Sequence, residues 1–129
     1  MSHNGLSMWY HPLYTDGIHP EARFPRDRYV RVMKRLTPLL TTSEGALDVE
    51  GLIQIRTPSP ITREQLLLAH DAEYVDRFLA GSLSEKEIKR IGLTPWTDDM
   101  IQRTLFLMGG ALEATEHAAV SYTHLRAHE

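Results

Sequence analysis

The chain has 129 residues, of which 42% are hydrophobic and 24% charged, enough for one small domain with a core. Its net charge of −3 gives no overall attraction for nucleic acid or an anionic membrane. With no cysteine there is no disulfide framework, and any metal would need His, Asp or Glu ligands. No apolar run approaches the roughly 18 residues of a membrane span. The opening MSHNGLSMWYHP lacks a signal-peptide pattern, so a cytoplasmic protein is expected.

Residues 6–11, LSMWYH, read as a short aromatic strand ended by Pro12. YTDGIHPEARFP reads as loop, broken by glycine and proline. A helix is expected over 26–36, with Pro25 at its first position and Tyr29, Val32, Met33 and Leu36 on the apolar face. Its many arginines read most simply as a solvated face, and Pro38 disfavours continuation. Residues 41–51 are polar and read as loop. LIQIR (52–56) alternates like a strand.

Thr62 and Gln65 fit a capping box opening a short helix through LLLAH. A second helix carries Tyr74, Val75, Phe78 and Leu79 on one stripe and stops at Gly81. Ser84 and Glu87 make another capping box, for a charged helix ending near Gly92. Thr97 then caps a long helix with Asp98 and Asp99 in its first turn. Ile101, Leu105, Met108 and Leu112 are its expected buried stripe, and it should fade near His117. Gly109-Gly110 inside that stripe predicts close approach of another element. Strand, helix, strand and several helices suggest the front part of an α/β domain with a parallel sheet. Two strands are too few to complete one, so the fold reads as incomplete.

Local chemistry is sparse up to His117. There is no phosphate loop, no G-x-S-x-G elbow and no GxGxxG. His11, His19, His70 and His117 are scattered, and each reads as a structural or surface histidine. Asp98 and Asp99 read as a helix start, and Trp96 as a packing anchor. The best metal-like spacing is at the end, where His124 and His128 lie four apart, followed by Glu129.

Five segments in order carry a more specific signal: YHPLY (10–14), RFPRDRY (23–29), AHDAEYVDRFLAG (69–81), RIGLTPW (90–96), and the long helix with Arg103, Gly109-Gly110 and ALEA (111–114). Together they resemble the N-terminal third of the histone deacetylase superfamily, in its bacterial, class IV-like or acetoin-utilisation-like branch. The resemblance implies an arginase/deacetylase-type α/β domain with a parallel sheet, here incomplete. It implies a parent enzyme that hydrolyses acetyl-lysine or small acetylated amines with zinc held by two Asp and one His. Its acid–base histidine pair, zinc ligands and oxyanion tyrosine all fall beyond the matching region. The fragment is therefore expected to be inactive and without zinc, with no catalytic, cofactor or metal residue of its own. One position carries over: Arg28 falls where relatives have a basic residue near the internal cavity behind the active site. The plainer alternative for Arg28 is a helix-surface arginine. Relatives often carry a histidine where this chain has Ala22, and His19 lies too early to replace it. An acetylated protein or small molecule is the implied partner of the parent, with no nucleic acid and no membrane. An arginase-type manganese hydrolase fragment and a small helical binding module are the competing readings.

The tail VSYTHLRAHE back-translates as GTC TCT TAT ACA CAT CTC CGA GCC CAC GAG, the transposase-end adapter of sequencing libraries. The adapter bases just upstream, CT, complete a GCT codon for Ala119. Residues 1–119 are thus expected to be a truncated N-terminal portion, and 120–129 translated adapter. The His124/His128 spacing would then be an accident of codons.

Overall fold

A computed structural model describes residues 6–40 and 53–127. The expected loop at 41–51, together with His128 and Glu129, lies outside the described residues. Strand β1 (Leu6–Trp9) pairs in parallel with β2 (Ile53–Arg56), in the register Leu6 to Ile53 and Trp9 to Arg56. Tyr10 N extends the ladder by donating to Arg56 O at 3.0 Å. Parallel pairing requires a crossover between the strands, and helices α1 (Leu13–Asp16) and α2 (Asp27–Leu40) lie on it. Four helices follow: α3 (Arg63–Leu66), α4 (Ala72–Leu79), α5 (Glu85–Ile91) and α6 (Asp98–Ala127). The result is mostly helical, with a two-stranded parallel sheet.

Several boundaries differ from expectation, each for a local reason. The stretch after Pro12 opens with the single helical turn α1, because Pro12 itself adopts the helical backbone and Gly17 N closes the turn on Leu13 O at 2.8 Å. Pro25 stands two residues before α2, where its carbonyl accepts from Arg28 N at 3.1 Å. Helix α2 runs through Pro38 to Leu40. Pro38 is exposed and in the last turn, so its missing N–H leaves a carbonyl that water can reach. Helix α3 ends at Leu66, and His70 follows in a turn.

The capping boxes form as the sequence pattern dictates. Thr62 Oγ1 accepts from Gln65 N at 3.1 Å while the Gln65 side chain accepts from Thr62 N at 2.9 Å. Ser84 and Glu87 repeat the exchange at 3.2 and 2.9 Å. Gly81 and Gly92 both take positive φ, which lets the chain leave α4 and α5 at the cost of no Cβ clash. Arg63 ties α3 to Asp76 on α4, and Arg77 ties α4 to Glu87 on α5.

The core forms where α1 and the following loop meet the start of α6. Ile18, Ala22 and Met100 are buried together, with Phe24, Leu93 and Trp96 packed against them. Trp96 also meets Phe78 edge-on, with ring centroids 6.1 Å apart, which makes it the anchor of the loop before α6.

The buried face of α6 is rotated from the expected one. Met100, Ile101, Arg103, Gly109 and Gly110 are buried; Leu105 and Leu112 are half-buried, and Met108 is 38% exposed. The reason is α1, which packs on α6 and draws the Met100–Arg103–Gly110 side inward. Helix α6 also continues past His117 to Ala127, and residues 118–123 are all exposed. No described helix is long and apolar enough to cross a membrane.

Candidate functional site

The C-terminal end of a parallel strand is a recurrent place for ligands in α/β sheets. Here the chain leaves β1 through Tyr10 and His11 and turns into α1. Helix α2 crosses in front, and α6 lies behind. Between α2 and the strands is an open cleft of about 330 Å³, bordered by Trp9, Tyr10, Tyr14, Arg28, Tyr29 and Met33 among others.

Its polar wall, formed by Tyr14, Arg28 and Tyr29, belongs to a network completed by the buried Arg103. Arg103 is 5% exposed, and its Nε donates to Tyr14 O at 2.9 Å. Its Nη2 donates to the Tyr29 hydroxyl at 3.2 Å. Arg28 Nη2 donates to the same hydroxyl at 3.1 Å, so Tyr29 accepts from two cations. Both guanidinium groups also lie over the rings of Phe24 and Tyr29, at 5.0–5.7 Å from the centroids. Among the described residues, no carboxylate forms an ion pair with Arg103 or Arg28.

Tyr14 sits under this network, edge-on to Tyr10 and Tyr29. Its hydroxyl donates to Phe106 O at 3.4 Å. Burial pushes the Tyr14 phenol up from its ordinary value; Tyr29 adds to the rise, Arg103 opposes it, and Glu113 adds a little more. It stays a neutral donor at neutral pH. Gly110 makes this packing possible, since a Cβ there would lie 2.8 Å from the Tyr14 hydroxyl.

The segment after β2 closes the far side. Gly109 lets the backbone of Ser59 and Ile61 lie directly on α6; a Cβ at Gly109 would collide with Ser59 O and come within 2.8 Å of Ile61 N. Ile61 N donates to Leu105 O at 2.9 Å and Ser59 N to Glu113 Oε1 at 2.6 Å. The glycine pair thus has the close neighbour its sequence predicted.

Arg28 reaches the rim of the cleft but is exposed, with one side toward Tyr29 and the other toward solvent. It is thus a helix-surface arginine whose side chain borders an open cleft. The buried cation is Arg103, which the spacing rules placed on no site. The signal was present: Met100, Arg103, Leu107 and Gly110 recur at helical spacing, putting an arginine on an apolar stripe. Tyr14 and Tyr29 carried no comparable signal, since their meeting depends on α1.

The histidines have local partners. His11 stacks on Phe106 at 4.1 Å, and its Nδ1 accepts from Leu13 N at 3.0 Å. His19 Nδ1 accepts from Glu21 N at 3.1 Å, while His70 faces Tyr74 and His117 meets Trp9 edge-on. His124 lies on α6, but its partner in the sequence motif, His128, is outside the described residues.

Chemically, the network can receive a small anion or a polar carbonyl group. It contains no nucleophile paired with a base. Among the described residues, no group of three His, Asp or Glu side chains is placed to hold a metal ion. A second groove of about 340 Å³ lies between α3, α4 and α6, walled mainly by Ile61, Leu66, Tyr74, Phe78 and Met108.

No family model matches the chain. Over 108 residues it is 35% identical to an uncharacterized protein of Picosynechococcus sp.. The match covers 84% of this chain and 33% of that protein, so the chain spans about a third of the relative's length.

Proposed function

We propose that the chain is the N-terminal portion of a cytoplasmic, zinc-dependent hydrolase of the histone deacetylase type, acting on acetyl-lysine or small acetylated amines. Residues 1–119 belong to the enzyme and 120–129 are translated adapter. The observation that carries the reading is the ordered set of five motifs from Tyr10 to Ala114. The parallel pairing of β1 and β2 supports it, as does the length of the relative, which leaves about two thirds of its chain for further elements.

The described residues do not fit a zinc site, because no suitable group of ligands is present among them. On this reading the metal and the reacting groups belong to later sequence. The reaction adds water across the acetyl carbonyl, breaks the C–N bond and releases acetate and a free amine. The part this chain contributes is the cleft beside β1. Arg28 and the Tyr29 hydroxyl present a cation and a polar group to a space suited to a small carboxylate. Arg103 holds Tyr29 and the Tyr14 backbone in place behind them.

The test is recovery of the uninterrupted gene from its source DNA, followed by assay of its purified product on an acetyl-lysine peptide. Chelator-sensitive release of acetate is expected, and none from the 129-residue chain. Manganese-dependent hydrolysis of arginine without acetate release would favour the arginase type. An early stop codon and a cooperative melt of the short chain would favour a helical binding module.

A further inference from the structure

The net charge of −3 conceals a strong local imbalance. Residues 23–35 hold six of the fourteen basic residues and one of the seventeen acids, so this stretch carries +5 and the remainder −8. Arg28, Arg31 and Arg35 follow i, i+3, i+7 spacing on α2, on the side away from Tyr29, Met33 and Leu36, and all three are exposed. Arg26, Arg28 and Arg31 meet at an open recess of about 510 Å³, walled by Phe24 and by two prolines, Pro20 and Pro25.

Two of these guanidinium groups are held by neutral partners. Arg26 Nε donates to Thr15 O at 3.3 Å, and the buried Thr15 hydroxyl returns a bond to Arg26 O at 2.9 Å. Arg28 lies over the Phe24 and Tyr29 rings and donates to the Tyr29 hydroxyl. Carbonyls and ring faces fix orientation without cancelling charge. The nearby acids are Asp16, exposed and 3.9 Å from Arg26 Nη2, and Asp27 on the recess wall. They leave a cationic surplus, to which Arg23, Lys34 and Arg35 add. A merely solvated face mixes its signs and leaves its long side chains free. Pre-oriented arginine forks in a concave surface match phosphate oxygens, which they bind through paired charge-assisted hydrogen bonds.

We propose that the recess formed by Arg26, Arg28 and Arg31 binds a ligand carrying clustered phosphate groups. The proposal does not need the deacetylase reading, since phosphate binding needs no catalytic centre, and Arg28 is the residue that the recess shares with the cleft beside β1. It is tested on the purified 129-residue chain by calorimetric titration with inorganic tripolyphosphate at low salt, and by co-sedimentation with vesicles of phosphatidylcholine containing phosphatidic acid. Saturable tripolyphosphate binding marks a soluble phosphorylated ligand. Binding in the vesicle arm alone assigns the same recognition to a lipid headgroup. In either case, Arg28→Ala with Arg31→Ala weakens binding roughly tenfold or more. Removing equal charge from α5 by Lys89→Ala with Arg90→Ala changes it by less than about twofold. Circular dichroism checks that each variant is folded, and the exposed Arg31→Ala alone, expected to lose about threefold, serves if the double variant is not. No binding in either arm up to about 1 mM ligand, or equal loss from both double variants, overturns the proposal. So does binding to a DNA oligonucleotide with both phosphate arms negative.

Discussion

A buried guanidinium costs several kcal/mol in lost hydration unless its charge and its donors are met. Arg103 meets them without a carboxylate, through the Tyr14 carbonyl, the Tyr29 hydroxyl and the faces of two rings. Arg103→Ala leaves that carbonyl unpaired, takes one of the two cationic donors from the Tyr29 hydroxyl and opens a cavity against α1. A loss of about 2–4 kcal/mol is expected, read as a lower urea midpoint. Arg103→Lys should recover little of it, because an ammonium group has no planar fork to reach both partners while stacking on the rings. A lysine variant with the wild-type midpoint would show that only charge is needed there. Arg28 behaves differently, because it is exposed and shares Tyr29 rather than supporting it. Its replacement should leave the midpoint within about 0.5 kcal/mol of wild type.

Helix ends were the part of the fold best written in local sequence. Thr62/Gln65 and Ser84/Glu87 need only residues three apart, and Gly81 and Gly92 only their own freedom at positive φ. Glu87 does double duty, accepting from Ser84 N and from both terminal nitrogens of Arg77. The Arg77 bonds, with the Ser84 amide second, hold its carboxyl at about 2, against 4.5 ordinarily. A carboxylate depressed on folding contributes stability that is complete above its ordinary value and is lost as pH falls from there toward the folded value. Glu87→Gln should therefore lower the thermal midpoint at pH 7, and the two melting curves should converge between pH about 4.5 and about 2. Parallel curves through that window would dissociate Glu87 from acid stability. What local sequence did not contain was tertiary choice. The α6 stripe turned toward α1, an element hidden behind Pro12, and Arg103 went inside with it. Gly109-Gly110 did announce a close neighbour, but not that it would be Ser59. Gly109→Ala gains about 1 kcal/mol of helix propensity yet drives a methyl into the Ser59 carbonyl. The expected net effect is a loss of about 1–3 kcal/mol in urea unfolding, and an unchanged unfolding free energy would show that the Ser59 contact yields to a methyl group.

At the scale of the whole molecule, the core is gathered around the loop after α1 and the start of α6, and among the described residues the sheet has two strands. Helix α6 carries residues 118–123 out into solvent. Deleting 120–129 should leave the unfolding free energy within about 0.5 kcal/mol of the intact chain, because residues 120–123 are exposed. A larger loss, measured by urea denaturation, would mean that the tail belongs to the fold. Apolar side chains also remain on the surface, Leu68 and Val120 among them. The clasp between Ser59 and Glu113 joins residues 54 apart in sequence, and it lies on the exit of β2. Bringing such distant segments together costs loop-closure entropy before any contact repays it, and non-local pairing slows folding. During synthesis, the exit of β2 remains unclasped until the α6 glycines have emerged. Assembly of this molecule is therefore gated by a helix made long after the strands it secures.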